Sequence, residues 1–187
     1  LEFVQKVKGT KVLYCSFTSY VGQGATPKAH NADEAARHKF WGWEAGNTEK
    51  QEAAVRKYAN AIIDTLSKYN YDGFDIDFEP NYGYGGELAS NYELMHVFIT
   101  ELAKHIGPMS PHPEKLLIVD GEPQTLLAKT GPFISYYVIQ AYFAKEGNLD
   151  GRLLNGIDKF KSVMSEEEIT NRYVMTENLE SAIDCLN

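Results

Sequence analysis

The stretch Asp72–Glu79 reads DGFDIDFE and alternates apolar residues with acids. Successive side chains of a β-strand point to opposite faces, so this alternation predicts a strand with one apolar and one acidic face. The residues on the apolar face are Phe74, Ile76 and Phe78. The residues on the acidic face are Asp75, Asp77 and Glu79. The apolar face must pack on helices, which leaves a row of carboxylates on the other side of the sheet.

Neighbouring acids in this row are separated by roughly 7 Å along the strand. Burying like charges this close together is costly, so a sequence selected only for stability would carry Val or Ile there. At this spacing the acids titrate together, and at least one is expected to hold a proton near neutral pH. A protonated carboxylic acid is what general-acid catalysis requires, and Glu79, the last of the row, is the natural candidate.

Two other interpretations of the row remain open. Acidic residues bind calcium or magnesium, but the calcium loop of an EF-hand requires a glycine at its sixth position, whereas Pro80 follows Glu79 here. The row is also compatible with an edge strand whose acidic face meets only water.

Around this stretch, apolar strand-like segments alternate with segments of helical period, the pattern of repeated βα units and a parallel sheet. The other predicted strands are Lys11–Phe17, Leu116–Asp120, Ile134–Phe143 and Arg172–Thr176. A long polar segment, Thr18–Gly46, follows the first of them, and a loop of that length is usually functional.

Three helices are predicted between the strands. A capping box of Thr48 and Gln51 begins the first, which ends at Asn70. The second carries an apolar stripe and ends at Gly107-Pro108. The stripe residues are Leu94, Phe98, Leu102 and Ile106. A third helix is predicted around Leu153–Met164.

Composition narrows the possible functions. The chain has 187 residues and a formal net charge of −8, with no uninterrupted apolar segment long enough to cross a membrane. An excess of carboxylates repels phosphate backbones, so nucleic acid is not an expected partner. Cys15 and Cys185 form no ligand motif and the histidines show no metal-ligand spacing, so no metal and no cofactor are expected. Cys15 lies in an apolar run and is expected to be a buried free thiol, with pairing to Cys185 left open.

The carboxylate row resembles the DGxDxDxE signature of glycoside hydrolase family 18, the chitinases and endo-β-N-acetylglucosaminidases. The resemblance implies a (β/α)8 TIM barrel in which Asp72–Glu79 is the fourth strand. It also implies the roles of the three acids. Glu79 would be the general acid/base, Asp77 would polarise the acetamido group of the substrate, and Asp75 would be the buried partner of Asp77. Family 18 is known for substrate-assisted catalysis, so no protein nucleophile is needed.

A second segment favours the endo-β-N-acetylglucosaminidases over the chitinases. Where chitinases of the family carry Met-x-Tyr on the sixth strand, this chain has Gln140-Ala-Tyr142, which resembles the Gln-x-Tyr form of the endo-acting enzymes. Both side chains are then expected to contact the substrate sugar. Glu177 and Asn178, which follow the last predicted strand, are further candidates for glycan contact. Four aromatic residues are candidates either for stacking on sugars or for packing: Trp41, Trp43, Tyr82 and Tyr84.

We therefore expect residues 1–187 to form a single catalytic barrel domain with about five βα units, strands three to seven, incomplete at both ends, because a complete barrel needs about 250 residues. The expected activity is endo-hydrolysis of the β-1,4 bond between N-acetylglucosamine residues of glycans or glycoproteins. Chitin hydrolysis and non-catalytic glycan binding are the alternatives. The resemblance also implies a secreted, cell-surface or periplasmic location, although the chain itself carries no signal peptide.

Overall fold

Five parallel strands form one sheet in the chain order β1 to β5, in a computed structural model that describes residues 1–82, 85–142 and 146–176. The strands are β1 (Tyr14–Phe17), β2 (Gly73–Phe78), β3 (Leu116–Gly121), β4 (Tyr136–Gln140) and β5 (Tyr173–Thr176). Each lies within the segment predicted for it or extends one residue past it. The fold is therefore α/β, and the open sheet fits an incomplete TIM barrel, as expected.

Six α-helices lie between or before the strands. They are α1 (Glu2–Lys8), α2 (Glu34–Trp41), α3 (Thr48–Tyr69), α4 (Tyr92–Leu102), α5 (Glu146–Phe160) and α6 (Glu166–Arg172). No helix in the described ranges is long and apolar enough to cross a membrane.

The helices cover one face of the sheet. The apolar face of β2 is fully buried, as the alternation predicts. Phe98 of α4 lies edge-on to Phe74, with ring centroids 6.4 Å apart, and stacks on Tyr58 of α3 at 4.8 Å. Tyr58 also donates a hydrogen bond of 2.7 Å to the backbone oxygen of Gln23. The core therefore fixes the positions of both β2, which carries the acidic row, and the loop after β1.

The start of β2 explains the Asp-Gly pair of the motif. Asp72 accepts hydrogen bonds from the Val12 backbone N–H at 2.8 Å and from the Gln5 side chain at 2.7 Å. These bonds lower the pKa of Asp72 even though burial opposes them. A Cβ at Gly73 would collide with the backbone oxygen of Leu116 on β3. Both residues therefore serve the packing of β2 between its neighbours.

β2 is paired on both sides, with β1 and with β3. The interpretation of the acidic stretch as a solvated edge strand is therefore wrong.

Several local predictions are also wrong. The N-cap of α3 is Asn47, whose side chain accepts from the Lys50 N–H, so Thr48 is the first helical residue and forms no capping box. The second predicted helix ends at Leu102 and not at Gly107. The long polar segment, predicted to be a loop, contains the helix α2, whose N-cap is Asp33.

Cys15 is exposed, contrary to the prediction of a buried thiol. It lies on the face of β1 opposite the helices, beside the acids of β2, because Cys15 and Asp75 are register partners. Cys185 lies outside the described residues, so its pairing stays untested.

Candidate active site

The carboxylate row lies on the face of β2 that points away from the helices. Asp75, Asp77 and Glu79 are all half-buried, whereas the intervening residues are fully buried on the other face. The strand pleat therefore aligns the three acids as the sequence predicts. Glu79 directly follows the last strand residue, at the carboxyl end of the sheet.

Burial and mutual repulsion raise the pKa values of these acids. Burial raises the pKa of Asp75 to about 6, with Asp120 and Asp77 adding to the effect. Burial also raises the pKa of Asp77 to about 6, with further contributions from Glu79 and Asp120. The pKa of Glu79 is raised by burial and then by the charges of Asp120 and Glu122, while a bond from Gln140 opposes the rise. The row is thus able to hold a proton near neutral pH.

Sequence reasoning missed two further acids of the site, Asp120 and Glu122. Asp120 is the register partner of Asp77 on β3, so the two side chains lie next to each other on the same face of the sheet. Glu122 follows one residue after β3 and is only 8% exposed. The signal was present in the sequence, because residues 120–122 repeat the Asp-x-Glu spacing of residues 77–79.

Glu122 fixes the chain immediately after Glu79. Its carboxylate accepts hydrogen bonds from the backbone N–H of Asn81 at 2.8 Å and from the Asn81 side chain at 3.0 Å. Gly121 makes this arrangement possible through its left-handed φ of 97°. A Cβ at Gly121 would lie 2.6 Å from the backbone oxygen of Phe78.

A cleft of about 420 Å³ opens beside Glu79 at the carboxyl end of the sheet. Its other lining residues are Tyr82, Gly121, Glu122, Gln124, Gln140, Tyr142 and Arg152. Gln140 ends β4 and donates a hydrogen bond of 3.2 Å to Asp120. Tyr142, two residues later, is 45% exposed. The structure therefore brings Glu79, Glu122 and the Gln-x-Tyr pair to one cleft.

The remaining candidates divide into three groups. Tyr82 lines the cleft and is 72% exposed, which leaves it free to stack on a sugar. Trp41 is 3% exposed, and its indole N–H donates to Thr26, so it is a packing residue. Trp43 packs against the His38 ring, with ring centroids 5.6 Å apart. Tyr84, Glu177 and Asn178 lie outside the described residues.

The geometry can be compared with known proteins. A family model described as "Glycoside hydrolase family 18, BT1044-like" matches residues 2–185. The chain belongs to glycoside hydrolase family 18. Family membership agrees with the placement of the carboxylate motif on β2, a parallel strand that is paired on both sides.

Two solved structures are similar to the chain. A selenomethionine-containing Glu-to-Gln variant of BT1044 shares 32% identity and a TM-score of 0.75, and the match covers 97% of this chain and 53% of BT1044. The apo structure of an endo-β-N-acetylglucosaminidase from Cordyceps militaris shares 29% identity and a TM-score of 0.51, covering 67% of this chain and 39% of that enzyme. The chain thus spans about half the length of the BT1044 structure. The chain has no match among curated proteins.

Besides the cleft, this family 18 chain has a half-buried polar cluster around Glu87, in the segment between β2 and α4. Glu87 accepts from the Val21 N–H at 3.1 Å and from Arg37 at 3.1 Å, and its carboxylate also contacts the His38 ring. Ligand atoms of Glu34, His38 and Glu87 lie within 4.8 Å of one another, which is close enough for a metal. Both oxygens of Glu87 already have protein partners, including a guanidinium, so the cluster is explained as an ion-pair network that ties α2 to the segment after β2.

Proposed function

We propose that the protein is an endo-acting glycoside hydrolase that cleaves the β-1,4 bond between the two N-acetylglucosamine residues of N-glycan cores. The observation that carries the proposal is the half-buried row of acids ending at Glu79, whose pKa is raised, at the edge of a cleft. A raised pKa suits a group that first donates and later accepts a proton.

The proposed reaction uses the acetamido group of the substrate as nucleophile. Its carbonyl oxygen attacks the anomeric carbon while Glu79 donates its proton to the departing glycosidic oxygen, and an oxazolinium ion forms. Water then attacks the same carbon with Glu79, now a carboxylate, accepting its proton, which gives net retention. Asp77 lies two residues before Glu79 on the same face and would orient and polarise the acetamido group. Asp75, two residues before Asp77, would be its partner.

Gln140 and Tyr142 support an endo-β-N-acetylglucosaminidase rather than a chitinase. Both line the cleft beside Glu79. Tyr142 would donate a hydrogen bond to the acetamido oxygen as the oxazolinium forms, and Gln140 would hold the same sugar. The similarity to the Cordyceps militaris endo-β-N-acetylglucosaminidase supports the same substrate class.

The test is a comparison of substrates. We expect the purified protein to release glycans from a high-mannose or complex-type glycoprotein, leaving one N-acetylglucosamine on each asparagine, and to act poorly on chitin oligomers. Release from chitin oligomers alone would identify a chitinase and contradict the proposal. Binding of glycans without release from either substrate would identify a non-catalytic glycan-binding protein.

A further inference from the structure

Asp120 is the most central acid of the site that the proposed reaction does not use. Its strand, β3, lies between β2 and β4, and Asp120 is paired in register with Asp77 of β2 and with Val138 of β4. Because neighbouring strands are about 4.8 Å apart, its carboxylate lies within reach of the row on one side and of β4 on the other. A carboxylate in this position calls for an explanation, since Val or Ile would be more stable there.

One oxygen of Asp120 is occupied and the other is not. Oδ2 accepts the hydrogen bond from the Gln140 amide at 3.2 Å. Oδ1 is buried and has no hydrogen-bond partner within the described part of the chain. A buried carboxylate with an unpaired oxygen is costly, and such groups cluster at functional sites.

The hydrogen bond to Asp120 determines where the Gln140 side chain points. An amide has one carbonyl group and one NH2 group. An ionised Asp120 carboxylate can only accept hydrogen bonds, so it binds the NH2 group of Gln140 and not the carbonyl. The bond holds the Nε2 atom of Gln140 at Asp120, and Gln140 also forms a side-chain hydrogen bond with Glu79. Asp120 therefore acts together with Glu79 in setting the orientation of Gln140 at the cleft.

The charge of Asp120 acts on the whole row. It is among the causes that raise the pKa values of Asp75, Asp77 and Glu79. The other ionisable groups around it are Cys15 on β1, Glu122 after β3, Tyr142 after β4 and Arg152 on α5. Of these groups only Arg152 is cationic, and it donates a bond of 3.3 Å to the backbone oxygen of Gln140.

We propose that Asp120 is a positioning residue of the active site, which holds Gln140 at the cleft and places a negative charge beside the row of acids that ends at Glu79. This inference rests on the proposed function for the role of the Glu79 proton. Asp120 itself touches neither the scissile bond nor the acetamido group in this scheme.

The variant Asp120→Asn separates charge from orientation. Asn keeps an oxygen that accepts from Gln140, so we expect KM to change less than about twofold. The loss of negative charge favours ionisation of Glu79, so the basic limb of the kcat/KM–pH profile is expected to move to lower pH by about one unit. Asp120→Ala removes the acceptor as well, and KM is then expected to rise several-fold. An unchanged KM in this variant would contradict the orienting role.

Asp158→Asn is the matched control. Asp158 is an exposed carboxylate on α5 paired with Lys161, and its removal changes the net charge equally. Its profile is expected to match that of the wild type. A profile of Asp120→Asn that superimposes on the wild type, or an equal shift in Asp158→Asn, would overturn the charge role of Asp120. If Asp120→Asn fails to unfold cooperatively, Asp120→Ser removes the same charge with a smaller side chain.

A measurement without turnover separates this inference from the proposed function. The Glu79 carboxyl carbon, labelled with ¹³C, reports its own protonation by NMR. We expect it to titrate at lower pH in Asp120→Asn than in the wild type. If the protein hydrolyses no glycan, the proposed function fails while this titration still decides the electrostatic role of Asp120. An unchanged Glu79 titration would contradict that role regardless of activity.

Discussion

The carboxylate of Glu122 accepts two hydrogen bonds from Asn81, at 2.8 Å and 3.0 Å, and thereby anchors the chain two residues beyond Glu79. The two residues are 41 positions apart in sequence and belong to different βα units. The anchor therefore fixes the position of the proposed general acid from the neighbouring strand. Glu122 is only 8% exposed whereas Asn81 is exposed, so the anchor joins a buried carboxylate to a surface residue.

Glu122→Ala is expected to lower both stability and activity. It removes two hydrogen bonds that the Glu122 carboxylate accepts from Asn81, which costs about 1–3 kcal/mol. For a chain of this size that corresponds to a fall of about 5 °C in Tm. Because Glu79 loses its anchor, kcat is expected to fall more than KM rises. Calorimetry and steady-state kinetics check the two effects. Glu93→Ala, which removes an exposed partner of Lys129, is the control and should change neither.

Asp75 is expected to lower the free energy of unfolding at neutral pH. Its pKa is about 6 in the folded protein against about 4 in an unfolded chain, so the folded state binds more protons between these values. The stability contribution of Asp75 therefore falls as pH rises from about 4 to 6 and stays low above that. Asp75→Asn should raise Tm at pH 7 by a few degrees and have little effect at pH 4. Equal Tm differences at both pH values would contradict this linkage.

Cys15 is expected to react slowly despite its exposure. Partial burial of the sulfur, followed by the nearby charge of Asp75, raises the pKa of the thiol to about 12. Little thiolate is therefore present at pH 8. Alkylation by iodoacetamide, followed by mass spectrometry, should be slower than for the same thiol in the unfolded chain. Asp75→Asn should accelerate it several-fold. A wild-type rate equal to that of the unfolded chain would contradict the predicted pKa.

Tyr142→Phe tests the proposed contact with the acetamido oxygen. The hydroxyl would act mainly as charge develops on the oxazolinium, so kcat is expected to fall about tenfold or more with little change in KM. Tyr136→Phe is the matched control, since Tyr136, the first residue of β4, is an exposed tyrosine that lies outside the cleft. Equal effects of the two substitutions would contradict a specific role for Tyr142.

The strand positions and the acidic row were predictable because both depend on local periodicity. The apolar face of β2 and the stripe of α4 follow from side-chain spacing alone, and burial at Phe74 and Phe98 confirms them. The DGxDxDxE match added the family, which the comparison with BT1044-like proteins confirms.

The features that escaped prediction depend on contacts between distant segments. Asp120 and Glu122 repeat the Asp-x-Glu spacing of residues 77–79, but it is the register of β3 against β2 that places them beside the row. The exposure of Cys15 follows from the face of β1 on which it lies, which an apolar run does not reveal. The helix α2 was hidden because its sequence is polar and its only buried residue is Trp41.

The central claim is that Glu79 is the general acid/base of a glycosidase, and Glu79→Gln tests it most directly. Turnover and glycan binding are measured together, by product release from a glycoprotein and by calorimetric titration with the same glycan. We predict that Glu79→Gln lowers kcat by about 10²–10⁴-fold while Kd changes less than about threefold, because the amide retains the shape of the side chain but donates no proton. Turnover equal to that of the wild type would contradict the account.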